Sequence, residues 1–252
     1  ATYRQSSRIA DFGLRSSDSQ TVARPNPQSA VPNPQSIDPR NRLLSRFPRV
    51  RLEAEMVRDQ ALALSGLLSG KMMGPSVYPP QPRGLWRAAF NGQRTWPTSQ
   101  GDDKYRRGLY TFWRRTVPYP SMAVFDAPSR EICTVRRIRT NTPLQAFVTL
   151  NDPVYVESAQ ALARRILKEG GTTTAPRVRF ALSLCLGRPP SAAQIAALAK
   201  LYRSALAHYQ KDKPAATKLA GSPPPGEDPA ELAAWTVVAN VLLNLDAVLT
   251  RK

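Results

Sequence analysis

One histidine, His208, and two cysteines, Cys133 and Cys185, are all that this 252-residue chain offers of the side chains most used as metal ligands and nucleophiles near neutral pH. His208 lies beside Tyr209 on a helical pattern with no nucleophile motif around it, so it reads as a surface histidine rather than a general base. The cysteines stand 52 positions apart and match no zinc ligand set. Covalent haem attachment needs Cys-x-x-Cys-His, which the sequence lacks. Asp102-Asp103 sits in a glycine-bearing loop and reads as a turn rather than an acid-base pair. Acid-base chemistry would have to come from Glu55, Asp126 or Asp152, brought together in one concave pocket.

Arginine is the plentiful reactive group: 28 arginines and 8 lysines face 18 acids, a formal charge of +18. Guanidinium groups keep their charge when partly buried and form bidentate pairs with carboxylates and phosphates. The densest stretch holds Arg106, Arg107, Arg114, Arg115, Arg130, Arg136, Arg137 and Arg139, interleaved with Tyr110, Phe112, Trp113, Tyr119 and Phe125. Two readings stand. Arg106, Arg107, Arg114 and Arg115 with Tyr110 and Trp113 would bind a polyanion, either acidic polysaccharide or nucleic acid, by charge and ring stacking. Alternatively the rings are core and the arginines tie loops to Asp126, Glu131 and backbone carbonyls. On the second reading Arg51, Glu55, Arg58, Asp126, Arg136 and Arg137 form a structural ion-pair network clamping a long helix to the loop after Cys133. Cys185 is expected buried in a helix and Cys133 in a polar loop, with a disulfide between them left open.

These residues need elements to position them, and the pattern is mainly α, with a small β element and long Pro/Gly-rich loops; glycine numbers only 13 against 24 prolines. Residues 16–39, with Pro-Asn-Pro-Gln-Ser occurring twice, read as an exposed loop. Asp38-Pro39 starts a short helix to Arg46, and a longer one is expected over 51–69 with Gly70 as its stop. Residues 71–104 read as irregular. Alternation over 107–116 predicts a strand, with Val77-Tyr78 as its partner.

Residues 142–252 read as a helical bundle. Capping boxes at Thr142–Gln145 and Ser191–Gln194 and the caps Asp152-Pro153 and Thr174 start four successive helices. Ile195, Leu198, Tyr202, Ala205 and Tyr209 make an apolar stripe. The stretch 211–228 reads as a loop, and Asp228-Pro229 begins a last helix carrying Trp235, Val238, Leu242, Leu245 and Leu249. No apolar run reaches the length of a membrane span, and the start at Ala1 is that expected of a processed product or a piece of a longer chain.

A set of ordered landmarks carries a resemblance. They are Tyr3-Arg4-Gln5-Ser6-Ser7, Asp38-Pro39-x-Asn41-Arg42-Leu43-Leu44, Arg49-x-Arg51-Leu52-x-Ala54-Glu55, Gly74-Pro75-Ser76, Arg107-x-Leu109-Tyr110 and Phe125-Asp126-Ala127-Pro128. Arg136-Arg137, Thr140-Asn141-Thr142-Pro143-Leu144-Gln145-Ala146, Leu150-Asn151-Asp152-Pro153, Leu186-Gly187-Arg188-Pro189-Pro190 and the Trp235–Leu243 segment continue it to the end of the chain. In these the sequence resembles the C-terminal domain of unknown function of the planctomycete-type cytochrome c domain proteins of Planctomycetes and Verrucomicrobia. The resemblance implies a non-haem accessory or scaffold domain of an extracytoplasmic protein, in the periplasm or at the cell surface. It further implies a cytochrome c module and a second domain of unknown function upstream as partners, with haem c on the former, and a link to polysaccharide breakdown or surface electron transfer. It supplies no catalytic residue.

Overall fold

The computed structural model describes residues 40, 42–43, 49–86, 94–221 and 226–251. The expected loop over 16–39 and the short helix after Asp38-Pro39 lie largely outside them. Two compact units are distinguished, residues 1–50 with 250–252 and residues 51–249. The described residues of the first unit are few, and the second holds all the helices named below.

The described residues form nine α-helices: α1 (Ala54–Ser65), α2 (Pro120–Val124), α3 (Pro143–Asn151), α4 (Pro153–Glu169), α5 (Thr174–Leu186), α6 (Ala192–Lys211), α7 (Lys213–Ala220), α8 (Pro229–Leu243) and α9 (Asp246–Leu249). The chain is mainly α. Strands among the described residues are two-residue stretches at Val50–Arg51 and Thr250–Arg251. Many prolines begin helices rather than break them: Pro120, Pro143, Pro153 and Pro229 each occupy a first helical position, where the missing N–H costs nothing. Asp152, Asp212 and Asp228 accept from the free N–H groups of Val154, Ala215 and Ala230.

Helix α8 is apolar all round and is accordingly central, with Leu232, Trp235, Val238 and Leu242 fully buried. It packs on α4, α6 and α7. The stripe on α6 meets it through Tyr202, whose ring stacks on Trp235 at 4.4 Å. Helix α4 buries Ala159, Leu162, Ala163 and Ile166 and receives α1 on another side. Against α1 and α4 lies an irregular layer of residues 66–86 and 94–119, knit by the rings of Tyr78, Trp96, Phe112 and Tyr119.

Four expectations are corrected. Helix α1 ends at Ser65, not Ser69, because Gly66 at φ 78° takes the left-handed cap while Leu67 N–H bonds back to Leu62 O. Residues 107–116 are not a strand: Gly108–Tyr110 is a 3-10 turn, and only Thr111 bridges, in parallel, to Val77. The turn is required because Gly108 presses on α1, where a Cβ would stand 3.0 Å from the Glu55 Cα. Residues 213–220 are helical, with Ala216 and Ala220 buried. The last helix breaks at Asn244, and α9 follows as a separate turn.

Candidate functional site

Of the sequence-flagged charges, Arg51, Glu55, Asp126 and Arg137 converge where the start of α1 meets the loop from the end of α2 to α3, while Arg58 and Arg136 do not join them. Leu52 N–H bonds to Leu249 O, which holds the entry to α1 extended and lets Glu53 and Glu55 project toward residues 137–139. Arg137 grips Glu55 with two hydrogen bonds, 2.7 and 3.2 Å, in a fork-on-fork pair. Its Nη1 also lies 3.1 Å from Glu53, which receives Arg139 at 3.1 Å. Burial pushes the Glu55 carboxyl up, but the Arg137 bond and the charges of Arg137 and Arg130 outweigh it and hold the group below its ordinary value. The Glu55 bond correspondingly raises Arg137.

Asp126 sits at φ 61°, a left-handed conformation that aspartate tolerates better than most residues. Its carboxylate accepts from Thr140 N–H at 2.6 Å and from the Thr140 hydroxyl at 2.8 Å. Gln145 turns inward from α3, donating to Val124 O at 3.0 Å and to Thr140 at 3.2 Å. That duty explains why the expected capping box at Thr142 is not made: no side chain caps α3, whereas Ser191 and Gln194 complete theirs at α6. The niche between these parts, lined by Arg51, Glu53, Phe125, Asp126, Arg139 and Gln145, holds about 10 Å³, room for one water. It is a filled joint rather than a substrate cleft.

Glu53, Glu55 and Asp126 therefore share one junction, while Asp152 lies elsewhere, capping α4. Burial pushes Asp152 up to about 6 against the pull of its bond from Val154 N–H and of the Arg58 charge. Arg58 is itself buried and donates to Lys104 O at 2.9 Å. Arg51 lies over the Phe125 ring at 5.9 Å, and Arg136 is exposed. Burial also raises the Tyr119 and Tyr155 hydroxyls and the Cys185 thiol, the last to about 12.

The basic aromatic stretch is distributed between inside and outside. Arg106 is buried, donating to Pro75 O and Met73 O, with its guanidinium 3.7 Å from the Tyr110 ring centre. Tyr110 accepts from Met73 N–H through its hydroxyl. Arg107 pairs with Asp59 at 3.4 Å, Arg114 lies over Trp86 at 5.6 Å, and Arg115 is exposed. Trp113 donates to Ser129 O and carries Arg130 over its ring.

Cys133 is exposed, Cys185 is buried and both are free thiols. His208 is exposed and packs edge-on to Tyr209. Asp102 and Asp103 lie in a 3-10 helix, Gly101–Tyr105, and Asp103 pairs with Lys71 at 2.8 Å. One polar group had no signal in sequence. Glu157 of α4 accepts from both Lys104 and Tyr105, at 2.7 and 2.8 Å, pinning the irregular layer to the bundle. Among the described residues no group of three or more His, Cys, Asp and Glu is placed to hold a metal ion. None of the helices described is long and apolar enough to cross a membrane.

The fold and the junction define a basic, mainly α domain in which Glu53, Glu55, Asp126 and Glu157 join its own parts. A family model, PSD1: Protein of unknown function (DUF1553), matches residues 1–202, and the chain belongs to that family. The match ends within α6, so the central helix α8 lies beyond it. No curated protein and no solved structure matches the chain.

Proposed function

We propose that this chain is a non-haem accessory domain of an extracytoplasmic cytochrome c domain protein, acting as a scaffold rather than a catalyst. One observation supports the scaffold reading above others: the carboxylates an enzyme would need are engaged with structural partners. Glu55 is held by Arg137, Asp126 by Thr140, and Asp152 caps a helix apart from both. The association with a cytochrome, and with a periplasmic or surface location, rests on the ordered landmarks of the sequence. The chain's own residues do not fit haem c: Cys133 is exposed, Cys185 is buried in α5, and neither stands in a Cys-x-x-Cys-His run. On this reading haem belongs to a neighbouring module, and this domain's part is to fold stably beside it.

An antibody raised against residues 1–252 tests the reading on fractions of the producing cells. The proposal expects one polypeptide outside the cytoplasm that also stains for covalently bound haem. A cytoplasmic polypeptide without haem stain refutes it.

A further inference from the structure

Helix α3 is built inside out. Its most deeply buried residues are polar, with only Val148 reaching the core beside them: Gln145 and Thr149 are each 1% exposed, and Thr149 donates to Asn244 at 2.7 Å across to the end of α8. Its outward residues are large and apolar, with Leu144 57%, Phe147 62% and Leu150 37% exposed. A helix on a water-facing surface places these the other way round. The loop leading into it repeats the theme at the same spacing, with Ile132, Val135 and Ile138 all more than three-quarters exposed. Of twelve large apolar side chains left exposed among the described residues, six fall within positions 132–150. Ile138 and Gln145 line the same small niche, so the loop and the start of α3 lie side by side. Scattered exposed apolar residues need no explanation, but a concentration of this kind marks an interaction surface.

Charge decides what covers it. Between Ala127 and Asn151 the chain carries Arg130, Arg136, Arg137 and Arg139 against one acid, Glu131; Arg137 and Arg139 are paired with Glu53 and Glu55 of the junction, and Arg130 and Arg136 are exposed in the loop that carries Ile132 and Val135. A second copy would bring the same exposed arginines to the contact on a chain whose formal charge is +18, a like-charge juxtaposition that disfavours self-association. We infer that the face formed by Leu144, Phe147 and Leu150 with Ile132, Val135 and Ile138 is a docking surface for an acidic, amphipathic segment of another protein or domain. Its apolar side chains cover Phe147 and its neighbours, and its carboxylates meet the exposed Arg130 and Arg136. Apolar anchoring supplies the affinity, and the arginine rim sets the partner and the rate of encounter. The inference stands on the surface alone and not on the cytochrome association.

The test uses the full chain and three synthetic helical peptides: an acidic amphipathic one with leucines on one face and glutamates flanking them, its lysine twin, and an acidic one of the same composition with scrambled order. Anisotropy titrations give affinity, and methyl NMR of the unmodified chain locates binding. The acidic amphipathic peptide is expected to bind most tightly and to shift the methyls of Ile132, Val135, Ile138, Leu144 and Leu150. Phe147→Ser and Arg136→Glu should each weaken it by about tenfold or more without moving the melting temperature, since both side chains face water. Absence of binding, or methyl shifts elsewhere, overturns the inference. Equal binding of the scrambled peptide reduces the surface to charge and overturns it. Equal binding of the lysine twin removes the role of the arginines and likewise overturns it. Sedimentation showing a dimer that Phe147→Ser dissociates assigns the face to a second copy instead.

Discussion

Replacing Asp152 by Asn should stabilise the protein increasingly as pH rises. Asp152 is 8% exposed, and its carboxyl is displaced from an ordinary 3.8 to about 6, so the folded state holds a proton that the unfolded chain releases. Stability from this group is therefore greatest at acid pH and falls as pH rises through that interval. At about 1.4 kcal/mol per pH unit, the displacement costs the wild type roughly 3 kcal/mol well above pH 6 and little near pH 4. Asparagine caps a helix about as well as aspartate and carries no charge to desolvate, so the variant avoids this cost. Urea unfolding followed by circular dichroism at about pH 4 and pH 8 should show the gap between variant and wild type widening by roughly 2 kcal/mol in favour of Asn. Glu55 titrates in both proteins and cancels in the difference. A gap independent of pH would show that Asp152 is not displaced. A gap widening in favour of Asp would show that the Arg58 charge, not burial, governs it.

Two further outcomes follow from the packing. Gly108→Ala should cost about 1–3 kcal/mol in thermal or urea unfolding, because its Cβ would stand 3.0 Å from the Cα and the O of Glu55 within α1, a backbone that cannot yield as a side chain would. In titrations with an acidic polysaccharide and with single-stranded DNA, binding to both should weaken together as salt is raised, since Arg106 is buried, Arg107 is paired and Tyr110 lies against Arg106. Salt-resistant preference for either polymer would instead reveal a dedicated site.

The helices of the second half were legible because their stop and start signals are local. Asp152-Pro153, Asp228-Pro229 and the Ser191–Gln194 box act on the backbone within one turn, and Gly187 ends α5 at φ 64° as a glycine can. What sequence left obscure depended on distant contacts. The Gly108–Tyr110 turn exists because α1 lies against it, and alternation of Leu109, Thr111 and Trp113 carries no trace of that. Helix α7 was hidden by Lys213-Pro214, which resembles a loop until Asp212 is seen to cap it. At the junction, residue types alone grouped Glu55 with Arg136 and Arg137. Only the fold distinguishes Arg137, which pairs, from Arg136, which faces water, and brings in Glu53, Arg139 and Thr140. Asp152 and Arg58 carry no sequence mark of burial, which arises from α1 and α4 closing over them.

The account's central claim is that the acids of the α1 junction serve the fold and not a reaction, and thermal and urea unfolding of Glu55→Gln and Asp126→Asn test it most directly. Glu55 contributes stability as the carboxylate, present above the ordinary carboxylate range and lost as pH falls through its depressed folded value. Its charge-assisted pair with Arg137 is partly screened, with the two side chains 18% and 31% exposed, so neutralising it should cost about 1–2 kcal/mol near neutral pH. Asp126 holds Thr140 from a left-handed backbone position, and its neutralisation should cost a similar amount. Junction acids positioned for catalysis would be set against their own packing, and their removal would leave a protein as stable or more so; Asp152, whose burial opposes its charge, caps α4 apart from the junction and is no part of this test. Loss of stability in both variants is the predicted result. Variants as stable as the wild type, or more stable, would contradict the account.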